Sequence, residues 1–178
     1  AKNTIGVIVN GTISHPSVTN KSATPISYIP SKMVDRILVA DNSSVLKRNT
    51  LNFNLNYSYT VPNGKNLTVN ADHVTYNINS TQFQPNYYFD ATGTIPISNV
   101  VYRMIAPTDI NINSLKADWE QPFKKGTLGI GGKAAFVKTD NDFQRYNVYA
   151  GSDHLDKDRS NLFNYKENIS AAYVNYNR

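Results

Sequence analysis

The chain contains no cysteine. No disulfide framework, thiolate metal site or cysteine nucleophile can therefore be built from it. Glutamate occurs only twice, at Glu120 and Glu167. Charged residues make up 17% of the chain, against roughly 25% in an average soluble domain. With so few strong helix formers, a helical bundle is excluded. No apolar run approaches the ~18 residues of a membrane-spanning helix, and the N-terminus lacks a signal-peptide pattern. The net charge is +5, but Lys47-Arg48 and Lys124-Lys125 are the only adjacent basic pairs. A nucleic-acid partner has no basic patch to bind. The chain starts at Ala1-Lys2-Asn3 without methionine, and is expected to be a processed product or an excised piece.

What replaces the missing charge is asparagine, with 24 residues, alongside 12 Tyr and 7 Phe. This is material for strands and turns. In Leu51-Asn-Phe-Asn-Leu-Asn-Tyr-Ser-Tyr-Thr-Val61 every odd position is apolar or aromatic and every even one is Asn, Ser or Thr, the two-residue period of a strand with unlike faces. Pro62-Asn63-Gly64-Lys65 follows, a hairpin signal in which Asn and Gly both tolerate positive φ. Leu67, Val69 and Ala71 continue the alternation. Near His73 the phase slips and Val74, Tyr76 and Ile78 become the apolar set, which predicts a bulge. A second pair repeats the design: Leu115, Ala117 and Trp119, a turn at Pro122–Gly126, then Leu128, Ile130, Gly132, Ala134 and Phe136. Residues 4–14 and 163–177 read as outer strands.

The reading is thus all-β: an antiparallel up-and-down meander of about six long strands forming one β domain over residues 1–178. Three stretches, about 15–48, 81–110 and 140–162, hold most of the Pro, Asp and Ser and read as long loops with short extra strands such as Val34–Ala40 and Phe143–Tyr149. Short turns and long loops then lie at opposite ends, an asymmetry of transmembrane barrels. Alternation alone cannot tell a lipid-facing wall from a soluble β-sandwich with a core. Three features lean towards lipid. The polar faces carry Asn, Ser and Thr with few charges. The aromatics Tyr57, Tyr59, Trp119 and Phe123 cluster near the short turns, as an interfacial girdle does. Gly132 and Ala134 sit on an apolar face where they would fill a core poorly.

These strings resemble the outer-membrane β-barrel of TonB-dependent receptors. The resembling segments are Thr4–Gly11, Asn52–Tyr59, Leu115–Trp119 with Pro122–Gly126, Lys138–Asp142 and Phe163–Tyr173. The resemblance implies a wall in a 22-stranded barrel with outer-membrane lipid around it, a plug domain, TonB as partner and a nutrient substrate such as a glycan or siderophore. About six strands cannot close such a barrel, so the chain reads as an internal excerpt whose open edges could curl, self-pair or form a sandwich. In this setting Asn52, Asn54, Asn56, Lys116, Asp118 and Lys133 are candidates for the lumen. Phe53, Leu55, Leu128 and Ile130 would face lipid.

No catalytic, metal or cofactor site is expected. His15, His73 and His154 lack ligand spacing. Asp140, Asp142, Asp153, Asp156 and Asp158 lack the Gly and closing Glu of a calcium loop. Glu120 and Glu167 are the only conceivable glycosidase pair, and a structural role is preferred for Glu120 beside its turn. Sequons such as Asn10-Gly-Thr12 arise from composition. Phe83, Tyr87, Tyr88 and Phe89 form a candidate loop contact surface for a sugar or protein, set against simple packing of that loop on the barrel rim. The rivals to the transporter reading are a secreted β-sandwich that binds carbohydrate or acts as an adhesin through its loops, and a small closed barrel of about eight strands enclosing a ligand.

Overall fold

The computed structural model describes residues 1–178 as one antiparallel sheet of eight strands and no α-helix. The strands are β1 (Lys2–Ser14), β2 (Ser17–Ser27), β3 (Val34–Thr60), β4 (Asn66–Asp90), β5 (Pro96–Phe123), β6 (Gly126–Tyr149), β7 (Ser152–Leu155) and β8 (Asn161–Asn177). β1 and β2 lie end to end on β3 in one continuous register, Ser14 opposite Arg48 and Ser17 opposite Val45. Only His15-Pro16 separates them, and Leu46 N–H bridges the break to the Pro16 carbonyl at 3.0 Å. β7 and β8 likewise lie along β6, parted by a single 3-10 turn at Lys157–Arg159. The eight strands therefore form the six-stranded meander that the sequence predicts.

The connections depart from expectation. The stretches 15–48, 81–110 and 140–162 are not long loops. They are strand, and β3, β4, β5 and β6 run 24–28 residues each. The turns are short at both ends: 61–65 and 124–125 at one, 28–33, 91–95 and 150–151 at the other. Proline survives inside these strands because it lacks only one donor. Opposite Pro85 the β3–β4 ladder skips Asp41 and Asn42; beside Pro107 the β5–β6 ladder skips Ala106 and Pro107. Each proline keeps its register on its other neighbour.

The bulge expected at His73 is absent. Asp72, His73 and Val74 pair in unbroken register with Asn54, Phe53 and Asn52. The irregularities lie at Ile26/Ser27 and Tyr88/Phe89. In the 61–65 turn only Gly64 has positive φ, at 82°. The Val61 carbonyl accepts from Gly64 N–H and Val61 N–H donates to Lys65, both at 3.0 Å, a three-residue loop in which the glycine alone takes the left-handed position. Ala150 and Gly151 both have positive φ, 50° and 77°, the geometry of a type I′ turn.

No second layer packs on the sheet. Ala40 and Ala135 are the only buried apolar side chains beyond Pro85, and Ile5, Val7, Val9, Leu51, Leu115 and Val174 are each more than half exposed. A β-sandwich buries such residues between two sheets. The sandwich alternative is therefore wrong for this chain, and the sheet as a whole is open, without the closure a small barrel requires.

Candidate functional site

Directly opposed residues share a face of an antiparallel sheet, so the register sorts the chain into two. One rung of the first face runs Gly6, Asn56, Asn70, Lys116, Lys133, Ala171. The next rung of the other face runs Val7, Leu55, Ala71, Leu115, Ala134, Ser170. All six residues singled out for the lumen, Asn52, Asn54, Asn56, Lys116, Asp118 and Lys133, lie on the first, or Asn, face. Phe53, Leu55, Leu128 and Ile130 lie on the second, or Leu, face, together with Gly132 and Ala134.

Exposure runs opposite to that of a soluble sheet. Leu51, Phe53 and Leu55 are exposed, whereas Asn52, Asn54 and Asn56 between them are half-buried. Asn54 and Asn56 bond within a polar network, whereas Asn52 Oδ1 is buried without a partner. Asn54 Nδ2 donates to Asp72 Oδ1 at 2.6 Å, Asn56 Nδ2 to Asn54 Oδ1 at 3.1 Å and Ser114 Oγ to Asp72 Oδ2 at 2.9 Å. Lys116 Nζ lies 2.9 Å from Asp118 Oδ2 and 5.8 Å from the Tyr173 ring centroid, and the Tyr173 hydroxyl donates to Asp118. Lys133 stands opposite Lys116 with no carboxylate partner. Asn66, Thr68, Asn70, Glu120 and Asn175 complete a recess around this network.

The Leu face carries a bounded apolar band. It spans Ile5–Ile13 on β1 and Leu51–Tyr59 on β3, nine residues each, matching the ~9–11 residues with which a strand crosses a bilayer. Its far edge drifts across the sheet. The rung of Ile13 passes through Asn49, Asn77, Asp109 and Asp140 to Asn164, whereas the band on β8 ends at Ala172. Going from 164 to 172 is about eight residues, or ~26 Å at ~3.3 Å each, over five strand spacings of ~4.8 Å. A level edge with that drift requires strands tilted by about 45°, the inclination of transmembrane barrels. At the near edge stand Tyr57, Tyr59, Trp119 and Phe123, all on the Leu face. They are joined by Tyr176, which meets Phe123 edge-on at 6.4 Å. The Tyr57 hydroxyl donates to Asn3 at 2.8 Å.

Beyond the far edge the two faces exchange character, and this exchange is what the sequence shows as a phase slip. His73, Asn77, Asn79, Asp109, Asn113 and Lys138 take the Leu face and are exposed, with Thr75, Pro107, Asn111 and Asp140 half-buried between them, while Val74, Tyr76, Ile78, Ile110, Ile112 and Val137 take the Asn face and are half-buried.

Phe83, Tyr87, Tyr88 and Phe89 are not a loop and not one surface. All four lie in β4; Phe83, Tyr87 and Phe89 share the Leu face and Tyr88 lies on the Asn face. Phe83 packs under Arg103, 5.5 Å from its centroid, and Arg103 pairs with Asp153 at 3.1 Å. The histidines are placed apart: His15 in the β1–β2 break, His73 with Nδ1 2.8 Å from Asn113 Oδ1, His154 beside the Tyr149 ring. Asp140 pairs with Lys138 and Asp142 accepts from Gln144, each at 2.6 Å. Sequence reading had missed Asp72, Ser114 and Tyr173, which tie the polar network together.

An all-antiparallel single-layer wall, apolar on a tilted band and polar behind it, defines the class: a transmembrane β-barrel wall. A family model described as the outer membrane protein beta-barrel family matches residues 60–178, about two-thirds of the chain. The chain belongs to that family. No curated protein matches it. The class and the outer-membrane setting expected from sequence agree with this family.

Proposed function

We propose that the chain forms part of the wall of a TonB-dependent receptor in the outer membrane of a Gram-negative bacterium. A bulky nutrient, a glycan or a siderophore, passes along the Asn face when the plug is displaced. The observation that carries this reading is the inverted exposure of Leu51–Asn56, with apolar side chains open, the asparagines between them sheltered, and Asn54 and Asn56 held in a bonded network. Such a face offers a polar path. The height of the wall favours a bulky cargo: β5 has 28 residues, of which only ~9–11 are needed to cross the bilayer. The rest forms a tall vestibule. Asn52, Asn54, Asn56, Lys116, Asp118 and Lys133 line the path, Tyr57, Tyr59, Trp119 and Phe123 sit at one lipid interface, and the protein acts without catalysis. Uptake of candidate glycans and iron chelates by cells with and without TonB tests the proposal. Uptake confined to TonB-containing cells supports it. A purified protein that conducts ions steadily in a planar bilayer, with uptake indifferent to TonB, refutes it in favour of a passive pore.

A further inference from the structure

Well beyond the apolar band, the Asn face holds a recess of about 470 Å³ lined by Gln84, Tyr102, Met104, Phe143, Arg145 and Arg159. At its centre stands Arg145. Arg145 is half-buried and its guanidinium lies 4.0 Å from the Tyr102 ring centroid. No carboxylate pairs with it, unlike Arg36, Arg103 and Arg159, and its guanidinium donates no hydrogen bond within the protein. Held close to the ring and without a partner in the protein, the guanidinium keeps its five N–H donors free, and a guanidinium captures a planar anion through two parallel bonds. Met104 and Phe143 give an apolar floor beside it.

The second cation is delivered by a built irregularity. Between β7 and β8 the register on β6 changes: Tyr146 pairs with Leu155 but Phe143 with Asn161. The extra residues form the 3-10 turn Lys157–Arg159. Arg145's own backbone pins this turn, its carbonyl accepting from Asp156 N–H at 2.7 Å and its N–H donating to Ser160 Oγ at 3.0 Å. Ser160 Oγ in turn donates to the Asp156 carbonyl at 2.7 Å. Bulges of this kind re-aim side chains, and here Arg159 is set at the mouth of the recess, with Asp156 Oδ2 3.4 Å from its Nη1. Two guanidinium groups against one carboxylate leave the recess cationic.

We infer that this recess is a capture subsite for a ligand carrying a carboxylate on a flat apolar or aromatic body, the carboxylate on Arg145 and the body on Met104 and Phe143. The inference rests on the Asn face being the lumenal one, and it narrows the nutrient class of the proposed receptor to anionic ligands.

The test uses the intact protein purified from membranes, with 2-naphthoate, neutral 2-naphthylmethanol and inorganic phosphate as probes. Naphthoate is expected to bind at least tenfold more tightly than either of the others. Arg145→Gln should weaken naphthoate about tenfold and leave naphthylmethanol unchanged, while Arg145→Lys should recover part of the loss because it restores charge without the planar fork. Equal binding of naphthoate and naphthylmethanol, equal binding of phosphate, or an Arg145→Gln protein that binds naphthoate as before would each overturn the inference. A nitroxide on Leu55→Cys in the same preparation, accessible to oxygen but not to a water-soluble nickel complex, keeps the wall reading intact. A failure at Arg145 then belongs to the subsite alone, and a label open to nickel indicts the wall reading itself.

Discussion

Replacing Leu55 by arginine probes the orientation of the wall directly. Leu55 is the central member of the β3 apolar set Leu51, Phe53, Leu55, Tyr57, Tyr59, four residues from either end. At ~3.3 Å per residue and a tilt of about 45°, that places it roughly 9 Å from each edge of the band. Its neighbours along the rung are Val7 and Ala71, and at 42% exposure little packing is lost when the leucine goes. The cost is therefore almost entirely that of putting a cation against lipid, about 2–4 kcal/mol near the midplane of a barrel. Ile13→Arg is the internal control. It sits on the same face at the far edge, opposite Asn49, where the same substitution costs about 0–1 kcal/mol. Reversible urea unfolding of the intact protein into lipid vesicles, followed by tryptophan fluorescence, measures both. Equal costs at the two sites, or less than 1 kcal/mol at Leu55, would refute the assignment of the Leu face to lipid.

Three further perturbations separate the parts of the wall. Asp72→Ala strips Asn54 and Ser114 of their shared acceptor and should destabilise by about 1–3 kcal/mol in the same unfolding assay, with Asp72→Asn intermediate; an alanine variant as stable as the parent would show that the network is ornamental. Gly64→Ala adds a Cβ at φ 82°, 2.8 Å from Pro122 Cγ, so a loss of about 1–2 kcal/mol is expected; Asn63→Ala, where φ is not positive, should cost less, and the reverse ranking would contradict the turn geometry. Asp90 holds the 91–95 turn by accepting from the Thr92 hydroxyl at 2.7 Å and from the N–H groups of Ile95 and Thr94 at 3.0 Å, which lower its pKa from the ordinary value of 3.8. A depressed folded-state pKa stabilises above the unfolded-state value and is lost as pH falls through the folded one. Protection of the Thr94 and Ile95 amides, taken relative to their intrinsic exchange rates, should therefore hold from neutral pH and fall only below about pH 4; a fall between pH 7 and 5 would assign the protection elsewhere.

The paired halves of the sheet were legible because lipid and lumen impose one strict rule on them. Between Leu51 and Val61 every residue obeys it, and the short Pro62–Gly64 loop fixes which residues meet: with three residues in the loop, Asn54 must face Asp72. Asp72 was thus within reach of sequence, had the register been counted out. Tyr173 was not, since its contact with Asp118 spans β5, β6 and β8. The outer halves were misread for a physical reason. Once past the bilayer the outward face meets water and the inward face no longer has to be polar, so the alternation inverts at His73 without any change of backbone. A reader tracking apolar positions sees a slip and infers a bulge. Proline and aspartate there look like loop signals, yet Pro85 and Pro107 each interrupt pairing on one side only.

That inversion also separates what the two levels of the wall can do. Within the band, the Asn face is built of amides, hydroxyls and the Lys116–Asp118–Tyr173 group, which hydrogen-bond to one another and offer a cargo exchangeable polar contacts without a deep anchor. Above it, the same face presents Ile78, Ile110, Met104 and Phe143 with an arginine left unpaired on Tyr102. In the proposed receptor the apolar, cationic region would serve selection and the amide-lined one passage. On that proposal a ligand would be held where burial against apolar side chains and a guanidinium give it residence, and would exchange its contacts along the amide-lined stretch. On this argument substitutions at Arg145 should alter which ligand is taken up, whereas substitutions at Asn54 or Asn56 should alter how fast any ligand passes, and transport rates measured for two competing ligands separate the two effects.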